Sequence, residues 1–164
     1  MTGTSDRETH TPNGHTHSGR LRAAGATRRR RVLIAEDHGD TRFMLRVFLE
    51  ARGFDVVEAV NGEEAICLCE SARPDVVLLD GGLPRIDGLG VISRIRSDYT
   101  SPRLPVVFLS GHAEEVAQRA AFDAGCDDYL TKPFQLEQLS AVLTRLLAGP
   151  PGHGDGTNKG GFST

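Results

Sequence analysis

The chain has 164 residues, with 19 basic and 22 acidic side chains, 19 glycines and 8 prolines, which is one domain's worth of chain and enough to bury a core. Apolar runs are short, four residues in Val32–Ala35 and Val76–Leu79 and five in Ala65–Cys69, so no segment spans a bilayer. Three cysteines (Cys67, Cys69, Cys126) at no framework spacing, and no apolar leader in residues 1–30, exclude a disulfide-stapled secreted domain and fit a reducing, cytoplasmic setting.

Residues 1–30 are rich in Thr, Gly, Ser, His and Arg, with too few aliphatic side chains to offset chain entropy, and read as a disordered N-terminal arm. His10, His15 and His17 in that arm offer metal ligands on an unstructured chain, a weak basis for a site. Arg28 to Arg31 form a cationic cluster: a solvated run on the bland reading, an attractor for nucleic acid, lipid or a protein partner on the sharp one. The charge divides unevenly, with a net of +5 over residues 1–31 and −8 over 32–148, so the body is acidic and poorly suited to phosphate backbones.

From residue 31 short aliphatic runs alternate with longer segments of helical spacing. The strand candidates are 31–36, 54–59, 75–80, 105–110 and 126–130; four are near-continuously apolar, as strands covered on both faces are. The helical faces between them are Met44, Val47, Phe48, Ala51; then Ala65, Ile66, Cys69; then Leu89, Ile92, Ile95; then Val116, Ala117, Ala120, Ala121, Ala124; and finally Leu136, Leu139, Val142, Leu143, Leu146, Leu147. Gly53 and Gly125 follow two of these helices, where a left-handed cap is wanted. Five β–α units with right-handed crossovers predict an α/β fold, a doubly wound parallel sheet of five strands with helices on both faces, over residues 31–148. Residues 149–164 read as a flexible C-terminal tail. Cys67 and Cys69, two apart on a helix, point to different sides, so all three cysteines are expected as small buried hydrophobes rather than metal ligands.

Sites in such sheets form at the carboxyl ends of the strands. There the first candidate strand ends in Glu36-Asp37, the third in Asp80 and the fourth in Ser110, while Thr131-Lys132-Pro133 follows the fifth. Clustered carboxylates repel one another, and a hard divalent cation such as Mg²⁺ resolves the conflict. One carboxylate can then attack phosphorus, with a lysine and a hydroxyl meeting the charge of the transferring oxygens. Taken singly, Asp80 would be read as a strand-end cap; it is the company of Glu36, Asp37, Ser110 and Lys132 at matching strand ends that favours chemistry. There is no Walker-type loop and no G-x-G-x-x-G after a strand, and an acidic pair after the first strand would repel the phosphate of a flavin.

These segments resemble the receiver domain of bacterial two-component response regulators: Val32-Leu-Ile-Ala-Glu36-Asp37, Leu78-Leu79-Asp80-Gly-Gly-Leu83-Pro84-Arg-Ile-Asp87-Gly88, Leu109-Ser110-Gly111-His112, and Ala124-Gly125-Cys-Asp-Asp-Tyr129-Leu-Thr-Lys132-Pro133-Phe134. The resemblance covers residues 31–148 and implies a flavodoxin-like sheet of order 2-1-3-4-5. It implies phosphorylation of Asp80 by a histidine kinase, with Mg²⁺ (or Mn²⁺ in its place) held by Asp37, Asp80 and the main-chain carbonyl of Gly82, and by Glu36 through water. Ser110 and Lys132 would hold the phosphoryl group, Tyr129 would be the switching aromatic, and Lys132–Pro133 would be a cis bond. Partners implied are a sensor histidine kinase or a histidine phosphotransfer protein and a downstream protein target, met through the fourth helix, fifth strand and fifth helix; a homodimer is compatible with this.

With few residues on either side of 31–148, the expectation is a single-domain regulator without a DNA-binding domain or a membrane span, acting through protein contact. It would be no enzyme beyond promoting its own phosphorylation and dephosphorylation. The alternatives are a phosphorelay intermediate handing the phosphoryl group onward and an unphosphorylated scaffold; loss of an acidic residue or the lysine would mark the scaffold, and none is lost here. Gly81-Gly82 departs from the bulkier side chains common after the acceptor. Two glycines are expected to loosen the loop, expose the phosphate and shorten its life unless His112 shields it.

Overall fold

The computed structural model describes residues 28–97 and 103–148. Most of the expected N-terminal arm, residues 1–27, and the expected tail, 149–164, lie outside the described residues. The element order is β1 (Arg31–Ala35), α1 (Gly39–Glu50), β2 (Asp55–Ala59), α2 (Gly62–Ala72), β3 (Val76–Asp80), α3 (Gly88–Ser97), β4 (Val106–Ser110), α4 (Glu115–Ala124), β5 (Asp128–Thr131) and α5 (Leu136–Leu147). All strand pairs are parallel, in the order β2-β1-β3-β4-β5.

Alternation along the strands divides the core in two. Leu33, Ala35, Val77, Leu79, Val106 and Phe108 pack with Ala65, Val91, Ile92 and Ala121 of α2, α3 and α4. Their neighbours Val32, Ile34, Val76, Leu78, Val107 and Leu109 pack with Leu45, Phe48 and Leu49 of α1 and Leu139 and Leu143 of α5. Each fully buried Leu, Ile or Val contributes about 1.5–3 kcal/mol. Of the four strands expected to be covered on both faces, β1, β3 and β4 are; β2 is an edge strand and its side chains are mostly half-buried.

Several helical faces differ from the sequence reading. In α1 the buried residues are Leu45, Phe48 and Leu49, while Met44 and Val47 are exposed. Leu45 and Leu49 bury more apolar area than Met44 and Val47 would, and with that face inward Arg42 and Arg46 both reach Glu58 of β2, at 3.2 and 3.3 Å. In α3 Val91 and Ile92 are buried and Leu89 is exposed, and in α4 only Ala121 is buried, with Val116 82% exposed.

The turns follow the expected chemistry. Gly53 and Gly125 take φ of 84° and 110°. β5 begins two residues later than expected because Cys126 and Asp127 close the preceding turn, Cys126 N–H donating to Ala121 O and Asp127 N–H to Val106 O. Arg96 locks that end of the sheet, donating to Gly125 O, Leu104 O and Asp127 Oδ2 at 2.8–2.9 Å. Cys126 is buried and Cys69 half-buried, and burial raises their thiols to about 11 and about 12; Cys67, against expectation, is exposed. The arginine cluster is tied to the body: Arg28 and Arg30 pair with Asp75 at 2.9 and 3.5 Å, and Arg31 with Asp55 at 2.6 Å. Arg28 and Arg30 thus lie against the domain rather than in the free arm expected for residues 1–30.

Candidate functional site

Parallel register carries the ends of β1, β3, β4 and β5 to one edge of the sheet. The backbone continues the ladder past the strands, with Glu36 N–H donating to Ala59 O, Gly81 N–H to Leu109 O and Lys132 N–H to Ser110 O. Glu36, Asp80 and Ser110 are consequently the buried polar residues of this edge.

Lys132 joins two of the acids. Its Nζ donates to Asp80 Oδ1 at 2.7 Å and to Glu36 Oε2 at 2.6 Å. Burial pulls the ammonium pKa down, but the hydrogen bonds to Asp80 and Glu36 outweigh it and hold Lys132 above its ordinary value. The other Asp80 oxygen, Oδ2, accepts only the Gly82 N–H, at 3.2 Å. Asp37 stands apart at the rim, its Oδ1 2.9 Å from His38 Nδ1. The imidazole also lies 3.2 Å from Glu36 Oε1. The Asp37 charge, then the hydrogen bond to Glu36, raise the His38 pKa. His38 was not singled out from sequence, although its place directly after the acidic pair was a usable signal.

Two carboxylates therefore share one ammonium, the third, Asp37, faces His38 at the rim, and Asp80 Oδ2 accepts from a backbone N–H alone. This all-oxygen donor set on an acidic edge suits a hard divalent cation. The tightest cluster of ligand atoms at this edge, within 4.8 Å of one another, is Glu36, Asp37 and His38, which adds a nitrogen and leaves Asp80 outside it.

The remaining candidates meet through the backbone of a single residue, His112, at its two successive peptide groups. Ser110 Oγ accepts the His112 N–H at 3.1 Å, and the Tyr129 hydroxyl donates to His112 O at 2.6 Å. His112 contributes its backbone here; its imidazole is exposed, 3.5 Å from Glu114. Lys132–Pro133 is cis. The glycine pair is not uniformly slack. Gly82 is open, with only Asp80 Oδ2 at 3.4 Å from where a Cβ would sit, whereas a Cβ at Gly81 would lie 2.9 Å from the Phe108 ring. Neither glycine takes a positive φ.

Comparison with known proteins agrees with this geometry. The family model for the response regulator receiver domain matches residues 32–144. The response regulator MprA of Mycolicibacterium vanbaalenii is 43% identical over 117 residues, covering 71% of this chain and 50% of the relative. The chain thus spans about half the length of the curated relatives it matches. Among solved structures, a putative response regulator from Chloroflexus aurantiacus superposes with a TM-score of 0.70 at 33% identity, over 73% of this chain and 98% of its own. The receiver domain of the Pseudomonas aeruginosa sensor histidine kinase PA1611, solved with magnesium coordinated in its active site cleft, gives 0.68 at 28% identity over 73% and 98% of the two chains. With the sheet order, the strand-end residues and the family match all falling on the same stretch, this chain belongs to the response regulator receiver domain family of two-component systems.

Proposed function

We propose that Asp80 accepts a phosphoryl group from a phosphohistidine, with Mg²⁺ required, and that the phosphorylated state changes which protein the domain binds. The observation that carries this reading is the Lys132 ammonium hydrogen-bonded to Asp80 at the carboxyl edge of the sheet, beside two further carboxylates. In the transfer a new P–O bond forms to an Asp80 carboxylate oxygen while the P–N bond to the donor imidazole breaks, the electron pair returning to that nitrogen. Asp37, Asp80 and the Gly82 carbonyl are the groups that would hold Mg²⁺, with Glu36 acting through water; Mn²⁺ offers similar chemistry. The bound ion would screen the negative charge that Asp80 and the incoming phosphate share. Lys132 and Ser110 would bind the phosphoryl oxygens.

A rotation of Ser110 that carries its Oγ to a phosphoryl oxygen would take it away from the His112 N–H, freeing the 110–113 segment and with it the carbonyl that Tyr129 bonds. The exposed faces of α4, β5 and α5 would register that change and serve as the output surface. The donor is a sensor histidine kinase or a histidine phosphotransfer protein. Among the described residues no helix is long and apolar enough to cross a membrane.

Intact mass measured after incubation with a small phosphodonor and Mg²⁺ tests the chemistry. One added phosphoryl group is expected in the wild type and none in Asp80→Asn; no gain in the wild type would leave the scaffold reading standing. The open space at Gly82 gives a second expectation. In Gly82→Leu the side chain covers Asp80 Oδ2, and loss of the phosphoryl group is expected to slow by about threefold to tenfold through restricted water access. An unchanged or faster decay would show that this position does not govern lifetime.

A further inference from the structure

Phe108 is a buried aromatic whose ring is held from two sides. Toward the acceptor loop, the backbone lies directly on the ring: a Cβ at Gly81 would fall 2.9 Å from its Cε1, and one at Gly88 would fall 2.7 Å from its Cε2. On the other side Tyr129 is its cross-strand partner in the β4–β5 register, the two rings stacked with centroids 5.7 Å apart and planes 25° apart. Beyond it Tyr129 meets Phe122 of α4 at 6.5 Å. Loop, Phe108, Tyr129 and α4 are therefore in continuous van der Waals succession.

We propose that Phe108 is a positioning residue that transmits the position of the acceptor loop to Tyr129 through its ring, and that glycine at 81 is the space this ring occupies. The proposal rests on the phosphoryl-acceptor reading above. It adds a route to Tyr129 separate from the one through its hydroxyl and His112. The physical argument is packing: a buried ring pressed by loop backbone on one side and stacked on Tyr129 on the other passes a shift of the loop to its far face. It also accounts for the departure at position 81. Gly81 has no need of a positive φ, and apart from Phe108 the nearest atom to its missing Cβ is Leu109 O at 3.6 Å. The ring alone is what excludes a side chain there. At Gly88 the exclusion has a second cause, since its Cβ would also meet Asp80 O at 2.8 Å.

The test uses the full chain in a Tyr99→Phe background, which leaves Tyr129 the single tyrosine. Its ring resonances are followed by NMR with ¹³C-labelled tyrosine. Without any ligand, Gly81→Ala is expected to shift the Tyr129 ring signals; an unmoved signal overturns the proposal, whether or not any Phe108 variant folds. At saturating Mg²⁺ and beryllofluoride, Phe108→Leu or Phe108→Met is expected to cut the Tyr129 response to below about half that of the wild type. A full response in a folded variant would make Phe108 structural only and overturn the proposal. Beryllofluoride affinity should fall about tenfold in Gly81→Ala and recover when Phe108→Leu is added, while Gly88→Ala should not be rescued. Equal rescue at both positions, or at neither, counts against the ring as the transmitting element. A wild type that takes up no beryllofluoride with Mg²⁺ would instead remove the phosphoryl reading, an outcome separable from the ligand-free shift in Gly81→Ala.

Discussion

Lys132→Met is expected to destabilise the protein by about 2–4 kcal/mol in magnesium-free buffer, and added Mg²⁺ is expected to return a larger share of stability to this variant than it adds to the wild type. Glu36 is fully buried and Asp80 nearly so, and the Lys132 ammonium bonds to both. Methionine keeps the stem but removes the charge, leaving Asp80 with the Gly82 N–H and Glu36 with the rim imidazole and N–H of His38 as their remaining partners among the described residues. Removing one partner of a fully buried ion pair costs about 3–5 kcal/mol, and the lower figure here reflects a lysine side chain still 26% exposed. A cation bound between Asp37 and Asp80 would then carry the whole burden of neutralisation, so its affinity should rise in the variant; binding at a hundredfold excess over Kd adds about 2.7 kcal/mol. Urea denaturation with EDTA and with excess Mg²⁺, for both proteins, gives the four numbers required. Equal stability of the two proteins in EDTA would mean that the acids are not held by this lysine.

The sequence made the strand ends legible and the helix faces much less so. Central strands announce themselves because β1, β3 and β4 are apolar on both faces, and whatever polar residue stops the run is then placed at the sheet edge. That is why Glu36, Asp80 and Ser110 could be located without coordinates. Helix phase is weaker information. In α1 both Met44-Val47-Phe48 and Leu45-Phe48-Leu49 satisfy helical spacing; the structure buries the second set, and Arg42 and Arg46 then reach Glu58 on a neighbouring strand, long-range ion pairs invisible to periodicity. The partners of the arginine cluster were hidden for the same reason, since the acids that engage Arg28, Arg30 and Arg31 lie at Asp55 and Asp75, while Arg28 and Arg30 stay largely exposed. Gly81 was read as looseness from its own lack of a side chain, whereas the decisive fact is the ring of Phe108 above it, supplied by another strand.

Gly62→Ala should be the more damaging change at a position that takes no part in the chemistry. Gly62 is the first residue of α2, capped by the buried Asn61, whose side chain accepts the Glu64 N–H. Within a helix this substitution ordinarily helps by up to about 1 kcal/mol. Here a Cβ would stand 2.0 Å from Ile86 O and 2.8 Å from Ile86 C, both backbone atoms of the acceptor loop. The loop has little freedom to retreat. Gly62 N–H donates to Pro84 O, Glu63 pairs with Arg85 at 2.9 Å, and Arg85 itself is already in the left-handed region at φ 68°. Either α2 lifts from the sheet or the loop moves outward, and both cost packing, so a loss of about 2–4 kcal/mol is expected in place of a gain. Because the Gly82 carbonyl rides on the same loop, Mg²⁺ affinity measured by calorimetry should weaken together with stability. A Gly62→Ala protein as stable as the wild type, or more so, would show that α2 does not brace the acceptor loop, and the rigidity attributed to the segment from Gly81 to Asp87 would then have to come from the sheet side alone, through Gly81 and Phe108.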